Sequence, residues 1–250
     1  MAIVIISIVT AVHPGALPYL GTAYASLDGQ ALPDGWTWEW CLQEDGSDVG
    51  AREALPEPDD PRVRIGSSRK GGPAVARTMA FARSEGELVK VLDADDELTA
   101  GALARDIGAL EAHPQIGWTT SRVLDLMPDG SLLGFEGDPP PGLIDRGTVL
   151  THWRQHHRAQ VHPATLCIRR DLVTLLGGWM ALPASEDTGL LTALSVLSEG
   201  FFTSEPGLRY RKHPAQSTAH PDHAQGAEWA ARMSIIEARA DALSALTNRS

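Results

Sequence analysis

Residues 88–98 read Leu-Val-Lys-Val-Leu-Asp-Ala-Asp-Asp-Glu-Leu. A short apolar run passes directly into four acidic residues among five positions. The run suits a buried strand. Carboxylates this close repel one another, and burying them unpaired would cost several kcal/mol. A fold that places this strand in its core must deliver its end to a cation or to cationic groups. Such oxygen donors suit Mg²⁺ or Mn²⁺, which take a few carboxylates plus substrate phosphates. Asp95, Asp96 and Glu97 would equally suit the positive end of a following helix, so this segment alone leaves both readings open.

The rest of the first half alternates strand and helix. Residues 2–10, rich in Ile and Val, predict a central parallel strand covered on both faces, and residues 18–27 predict a helix. Trp36, Trp38, Trp40 and Leu42 alternate with Thr37, Glu39 and Cys41, a strand by period whose tryptophans read as core. It runs into Glu44-Asp45-Gly46-Ser47-Asp48, where Ser47 or Asp48 can cap a helix or turn. Residues 62–65 predict a third strand. Arg69-Lys70-Gly71-Gly72-Pro73 then opens a helix over 74–84 with Val75, Met79 and Ala82 on one face. Two basic residues, two glycines and a helix start make a candidate anion site. Residues 100–112 predict another helix. This order argues an α/β layer with a mostly parallel sheet, in which ligands bind beyond the carboxyl ends of strands. Thr10, Asp45, Arg69 and Asp93 to Asp95 all lie there and should gather on one edge.

The second half predicts a strand over 116–126, an antiparallel return over 132–135, a helix over 148–157 and a strand over 162–168. A short helix over 171–176 ends at Gly177-Gly178, and Ser185 opens a helix through 197. A last strand covers 201–210 and a long helix 224–246. On that helix Trp229, Met233, Ile236, Ala240 and Leu243 form a stripe that either packs on its own domain or makes a homo-oligomer seam. The histidines at 152, 156 and 157 read as a solvated helix face.

The formal charge of −11 argues against nucleic acid or an anionic membrane as the main partner. It does not exclude an anionic small ligand, because a bound metal reverses the sign locally. No apolar run approaches the roughly 20 residues of a membrane span. The apolar start lacks a basic segment and a cleavage site, so it reads as a strand and not a leader. Cys41 and Cys167 lie in apolar runs and read as buried free thiols. The expectation is a cytoplasmic protein.

Four motifs, in order, resemble family 2 glycosyltransferases of the GT-A fold over most of the first 215 residues. They are Ser7-Ile8-Val9-Thr10-Ala11-Val12; Glu44-Asp45-Gly46-Ser47-Asp48, similar to D-D-G-S-x-D; Leu92-Asp93-Ala94-Asp95-Asp96-Glu97-Leu98, similar to the D-x-D motif with its flanks; and Gly177-Gly178-Trp179 followed by Glu186-Asp187. The segment from Tyr210 to Pro214 also resembles one near the family's C-terminal end. Glu44, in place of the first Asp of the second motif, and Ser67 or Ser68, in place of an Asn, depart from the pattern.

The resemblance implies a GT-A catalytic domain over 1–222, with a nucleotide-binding half (1–115) and an acceptor-binding half (116–222), and a C-terminal helical extension over 223–250. It implies that Thr10 and Ala11 line the base pocket, Asp45 bonds the base and Arg69 touches base or phosphates. Asp93, with Ala94, would hold the ribose, and Asp95 the metal, Mn²⁺ or Mg²⁺. His213 would complete the metal shell or touch the diphosphate. Asp187, beside Glu186, would be the base, and Gly178 and Trp179 acceptor contacts. The implied reaction is inverting transfer from a nucleotide-diphosphate sugar, a UDP-sugar favoured, to a soluble acceptor. Two other readings are a catalytically degenerate nucleotide-sugar binder and a sugar-1-phosphate nucleotidyltransferase. The second would carry Arg or Lys just after the first strand, where residues 10–15 have neither.

Overall fold

The computed structural model describes residues 3–214, 216 and 223–247. Strand β1 (Val4–Val12) lies inside the sheet, parallel to β2 (Trp36–Asp45) on one side and β4 (Leu88–Val91) on the other. Strand β3 (Val63–Ser68) adds a further parallel edge beyond β2. Helix α1 (Leu17–Asp28) connects β1 to β2, a short α2 (Ala51–Ala54) follows β2, and α3 (Pro73–Arg83) connects β3 to β4. Ile6, Ile8 and Val12 of β1 enter one apolar cluster, with Leu20 and Leu27. Val9, pointing the other way, enters a second cluster with Ala74 and Ala80. Both faces of the strand are therefore covered, as its unbroken apolar run requires.

Beyond β4 the sheet becomes mixed. After the two-residue β5 (Glu97–Leu98) and α4 (Ala102–Ala112) come the long β6 (Ile116–Leu126) and the short β7 (Leu132–Gly134) and β8 (Gly142–Ile144). Helix α5 (Thr148–His156) precedes β9 (Cys167–Arg169), α6 (Arg170–Leu176), α7 (Glu186–Leu197), β10 (Glu199–Arg211) and α8 (Gly226–Thr247). The strand order is β3-β2-β1-β4-β9-β6-β10-β5, with β7 on β6 and β8 on β10. Strand β9 is antiparallel to both β4 and β6, whereas β6 and β10 run parallel.

Four local expectations are corrected. The acidic cluster does not start a helix: α4 begins at Ala102, with Gly101 at φ 72° before it. Neither Ser47 nor Asp48 caps α2; the Glu44 carboxylate accepts from the Gly50 and Ala51 N–H groups at 2.9 and 2.8 Å. The inward face of α3 carries Ala74, Ala76, Arg77 and Ala80, while Met79 is 42% exposed. Its buried arginine is ion-paired, so the apolar pattern points to the wrong side. Residues 163–165 form a 3-10 turn, not a strand. Pro163 lacks an N–H for a ladder, and the buried Lys90 donates to Thr165 O and Asp106 Oδ2, both at 2.7 Å.

The stripe on α8 packs within the chain. Met233 and Ile236 join Trp153, with Trp229 alongside, and Ala240 joins Leu150 and Val196, with Leu243 alongside. That stripe is therefore used inside the chain. Cys41 and Cys167 are free and buried. Among the described residues no helix is long and apolar enough to cross a membrane.

Candidate active site

Parallel pairing aligns the ends of β1, β2 and β4 and opens a cleft of about 500 Å³ there. Ala11, Val12 and His13 line it from β1 and its exit, Asp45 and Asp48 from the end of β2, and Asp93, Ala94 and Asp95 from the end of β4. Lys70, Tyr210 and Gln216 complete much of the wall. Residues from five separate stretches thus meet on one edge.

The four acidic residues after β4 part company, which is how the fold tolerates them. The Asp93 carboxylate pairs with Arg77. Asp95 faces the cleft, and its Oδ2 lies 2.8 Å from His213 Nε2. Asp96 is fully buried and accepts the Arg211 N–H at 2.8 Å. Burial, with Asp93 and Asp95 beside it, pushes the Asp96 carboxyl well above the usual carboxylate range. Glu97 pairs with Arg209 and Arg211. The Arg211 Nε also donates to Asp95 O at 2.8 Å, and its guanidinium lies over the Tyr19 ring, 4.8 Å from the centroid. Tyr19 in turn packs against the His213 ring at 4.8 Å.

Arg77 links the end of β4 to the start of α7. It is 6% exposed and pairs with Asp93 on one side and Glu186 on the other. Burial penalises its charge, but Asp93 and Glu186 outweigh that, and the guanidinium is held above its ordinary range. Glu186 opens α7 and is 5% exposed; burial pushes its carboxyl up, and Arg77 opposes the shift. Asp187, next on α7, is partly exposed and accepts the Thr188 N–H at 2.6 Å. Burial raises its carboxyl too, with Arg77 and that N–H holding it down in part and Asp93 raising it. Sequence reading missed Arg77. The available signal was a basic residue on a helix face otherwise made of small alanines, where only a paired charge can be buried.

Other site residues also differ from expectation. The Thr10 side chain does not face the cleft: it is fully buried, donating to Leu92 O at 2.6 Å and accepting from Trp40 Nε1 at 2.8 Å. A hydroxyl on a central strand is satisfied inside the sheet, and Ala11 and Val12 form the wall instead. Asp45 reaches the cleft, yet its Oδ1 is occupied by the Gly71 and Gly72 N–H groups at 2.7 and 2.9 Å. It holds the basic-glycine loop in place. Within that loop Lys70 lines the cleft, while Arg69 is exposed and lies off the wall.

Gly178 and Trp179 are not presented as acceptor contacts. Gly178 adopts φ 82°, and a Cβ there would lie 2.7 Å from Thr78 Oγ1. Trp179 N donates to that hydroxyl at 3.1 Å, and its side chain is 4% exposed, in the cluster that holds Val173 and Leu190. A large apolar side chain between two packed helices gains more by turning inward. The turn packs against Thr78 of α3, one residue from Arg77. His162, also missed, lies against Tyr210 at 5.0 Å. Burial pushes its imidazole down to about 4, and Nδ1 accepts the Ala164 N–H at 3.3 Å.

The cleft wall carries Asp45, Asp48, Asp93 and Asp95 against Lys70 and Arg77, and Arg77 is already paired. A bound cation would reverse that sign locally for an anionic ligand. Among the described residues no three or more His, Cys, Asp or Glu converge as a metal cage. Asp95 and His213, meeting beside the cleft, supply one carboxylate and one imidazole. That small donor set fits an ion which draws its remaining ligands from substrate phosphates and water.

Comparisons with known proteins identify the family and the fold. Residues 7–131 match the family model for glycosyl transferase family 2. The chain is 30% identical over 181 residues to the O-antigen biosynthesis protein RfbC of Myxococcus xanthus, a match covering 70% of this chain and 13% of that protein. The chain thus spans a small part of that relative's length. Among solved structures, S. aureus TarS 1-349 in complex with UDP superposes with a TM-score of 0.66 at 16% identity, over 98% of this chain and 70% of that one. Its complex with UDP-GlcNAc superposes with a TM-score of 0.67 at 16% identity, over the same shares. At that identity the likeness shows a shared fold, the mixed α/β sheet of GT-A glycosyltransferases.

Proposed function

The chain belongs to glycosyl transferase family 2, and from that premise we propose that it moves a sugar from a UDP-sugar to an acceptor hydroxyl, with Asp187 as general base and inversion at C1. The Arg77 bridge carries the reading. One buried guanidinium joins Asp93, at the end of β4, to Glu186, the neighbour of Asp187. The donor cleft and the start of α7 are therefore one ion-paired unit, with a partly exposed carboxylate beside it.

The transfer needs three events. The acceptor oxygen attacks C1 as the bond from C1 to the diphosphate oxygen breaks, and the electron pair leaves with UDP. The acceptor proton passes to Asp187, whose carboxyl is raised by burial above the usual carboxylate range, the direction that suits a general base. Lys70 on the cleft wall meets the diphosphate charge. Asp95 and His213 would hold a divalent cation, Mn²⁺ or Mg²⁺, which when bound neutralises the charge that develops on the leaving diphosphate. Arg211 fixes the Asp95 backbone and Tyr19 packs on His213, so both donors are held in place before a ligand arrives.

The preference for UDP rests on the TarS complexes with UDP and UDP-GlcNAc. The acceptor is a soluble hydroxyl compound in this reading. The two free, buried thiols are compatible with a cytoplasmic setting.

A thermal-shift panel of UDP, GDP, dTDP and CDP, each with Mn²⁺, Mg²⁺ or EDTA, tests the donor. A ligand at 100 times its dissociation constant stabilises by about 2.7 kcal/mol, a rise of several degrees. UDP is expected to raise the midpoint with metal and to lose most of that effect in EDTA. Stabilisation by another diphosphate but not by UDP contradicts the donor assignment. Equal stabilisation in EDTA contradicts the metal site.

A further inference from the structure

The C-terminal helix contributes more than apolar packing. Arg232 is 3% exposed, and its Nη1 donates to Ser185 Oγ at 3.1 Å and its Nη2 to His223 O at 2.9 Å. Seven residues on, Arg239 Nη2 donates to Leu176 O at 2.9 Å. Leu176 ends α6, and Ser185 immediately precedes α7. Two arginines of one helix, two turns apart, therefore grip the two ends of the segment that leads into Glu186 and Asp187.

The Ser185 end is under strain. Ser185 has φ 62° and ψ 18°, the left-handed region, without being glycine. Such a backbone is unfavourable for a residue with a Cβ and persists where its surroundings over-determine it. The serine before a helix commonly caps it with its own hydroxyl. Here the Ser185 side chain makes no cap bond to α7, and its hydroxyl instead accepts from Arg232. Its carbonyl accepts the Gly189 N–H at 2.9 Å, so Ser185 still sets the first turn of α7. Gly189 brings the two helices close: a Cβ there would lie 3.3 Å from Ile236 Cγ1. Ile236 is four residues from Arg232, on the same face of α8.

We infer that Arg232 is a positioning residue: through Ser185 it fixes the left-handed entry to α7 and so aims the Asp187 carboxylate at the acceptor hydroxyl, with Arg239 fixing the far end of the segment. This rests on Asp187 being the base. Removing the grip lets Ser185 relax toward ordinary backbone and rotates the first turn of α7. The nucleotide cleft, lined from β1, β2 and β4, remains.

The test uses the full chain with Arg232→Met, Arg232→Lys, Ser185→Ala and the Arg232→Met/Ser185→Ala double variant. Deuterium uptake over residues 185–192 is read without substrate. UDP release is read on whichever member of a UDP-sugar panel the wild type turns over. Arg232→Met is expected to raise uptake in that segment and to lower kcat by about 10²-fold, the cost of a misplacement near 1 Å, with KM for the UDP-sugar unchanged. Arg232→Lys, keeping one donor, restores part of kcat. The double variant is no worse than Arg232→Met, because the bond that Ser185→Ala removes is already absent in Arg232→Met. Wild-type uptake and kcat in Arg232→Met overturn the inference. So does a loss of kcat matched by an equal loss of UDP affinity, which marks general unfolding. Asp187→Asn, measured alongside, separates the two claims: if it turns over like wild type, the base assignment falls whatever Arg232 does.

Discussion

Asp187→Asn is expected to lower sugar transfer by about 10²–10⁴-fold, the range for removing a positioned general base, while UDP affinity stays at the wild-type value. The substitution keeps the size of the side chain. Its amide oxygen can still accept the Thr188 N–H that now binds Asp187 Oδ1 at 2.6 Å. It cannot take a proton from an acceptor hydroxyl. The nucleotide cleft is lined from β1, β2 and β4, not by Asp187, so binding has no reason to change. The pH profile gives a second reading. The base works ionised, and burial raises its carboxyl above the usual carboxylate range. Transfer should therefore fall as pH drops through a value above that range, and the limb should vanish in Asp187→Asn. Equal kcat in wild type and variant contradicts the assignment.

Arg77→Met is expected to destabilise the fold by about 3–5 kcal/mol, the cost of leaving buried charge without its partner. Two carboxylates lose their counter-ion at once. Glu186 is 5% exposed and cannot turn to water, whereas Asp93 faces the cleft and can be partly solvated. Most of the loss therefore comes from Glu186. Arg77→Lys should recover only part of it, because one ammonium cannot match a planar guanidinium that bridges two carboxylates on opposite sides. Arg77→Met/Glu186→Gln should be more stable than Arg77→Met, since it removes the stranded charge. Denaturant unfolding at constant pH reads all three. A loss under about 1 kcal/mol in Arg77→Met, the scale of an exposed ion pair, would mean that the bridge is not buried.

Apolar patterning placed β1, β2, α4, β6 and α7 within a few residues, because the strands feed both apolar clusters, α4 feeds the first and α7 the second. The motifs brought Asp93, Ala94, Asp95 and Asp45 to one cleft, since parallel strands put their carboxyl ends on one edge. What sequence did not show is which side chains the fold uses for itself. Thr10 and Trp40 satisfy each other inside the sheet, and Asp45 is half taken up by the glycine loop. Trp179 looks like a sugar-stacking residue because it sits in a loop, but that loop lies between two packed helices. Arg77 and Lys90 are counted as polar by any pattern, yet they are 6% and 1% exposed because each meets a carboxylate from a distant part of the chain. Such pairings depend on tertiary contact and leave no local period.

A crystal structure with an intact UDP-sugar and Mn²⁺, phased to show the anomalous signal of the metal, tests the central claim most directly. The account predicts UDP in the cleft between Ala11, Asp45 and Asp93, metal density at Asp95 and His213 against the diphosphate, and C1 presenting to Asp187 the face opposite its bond to the diphosphate. UDP bound elsewhere, or C1 turned away from Asp187 with the sugar ordered, would contradict it.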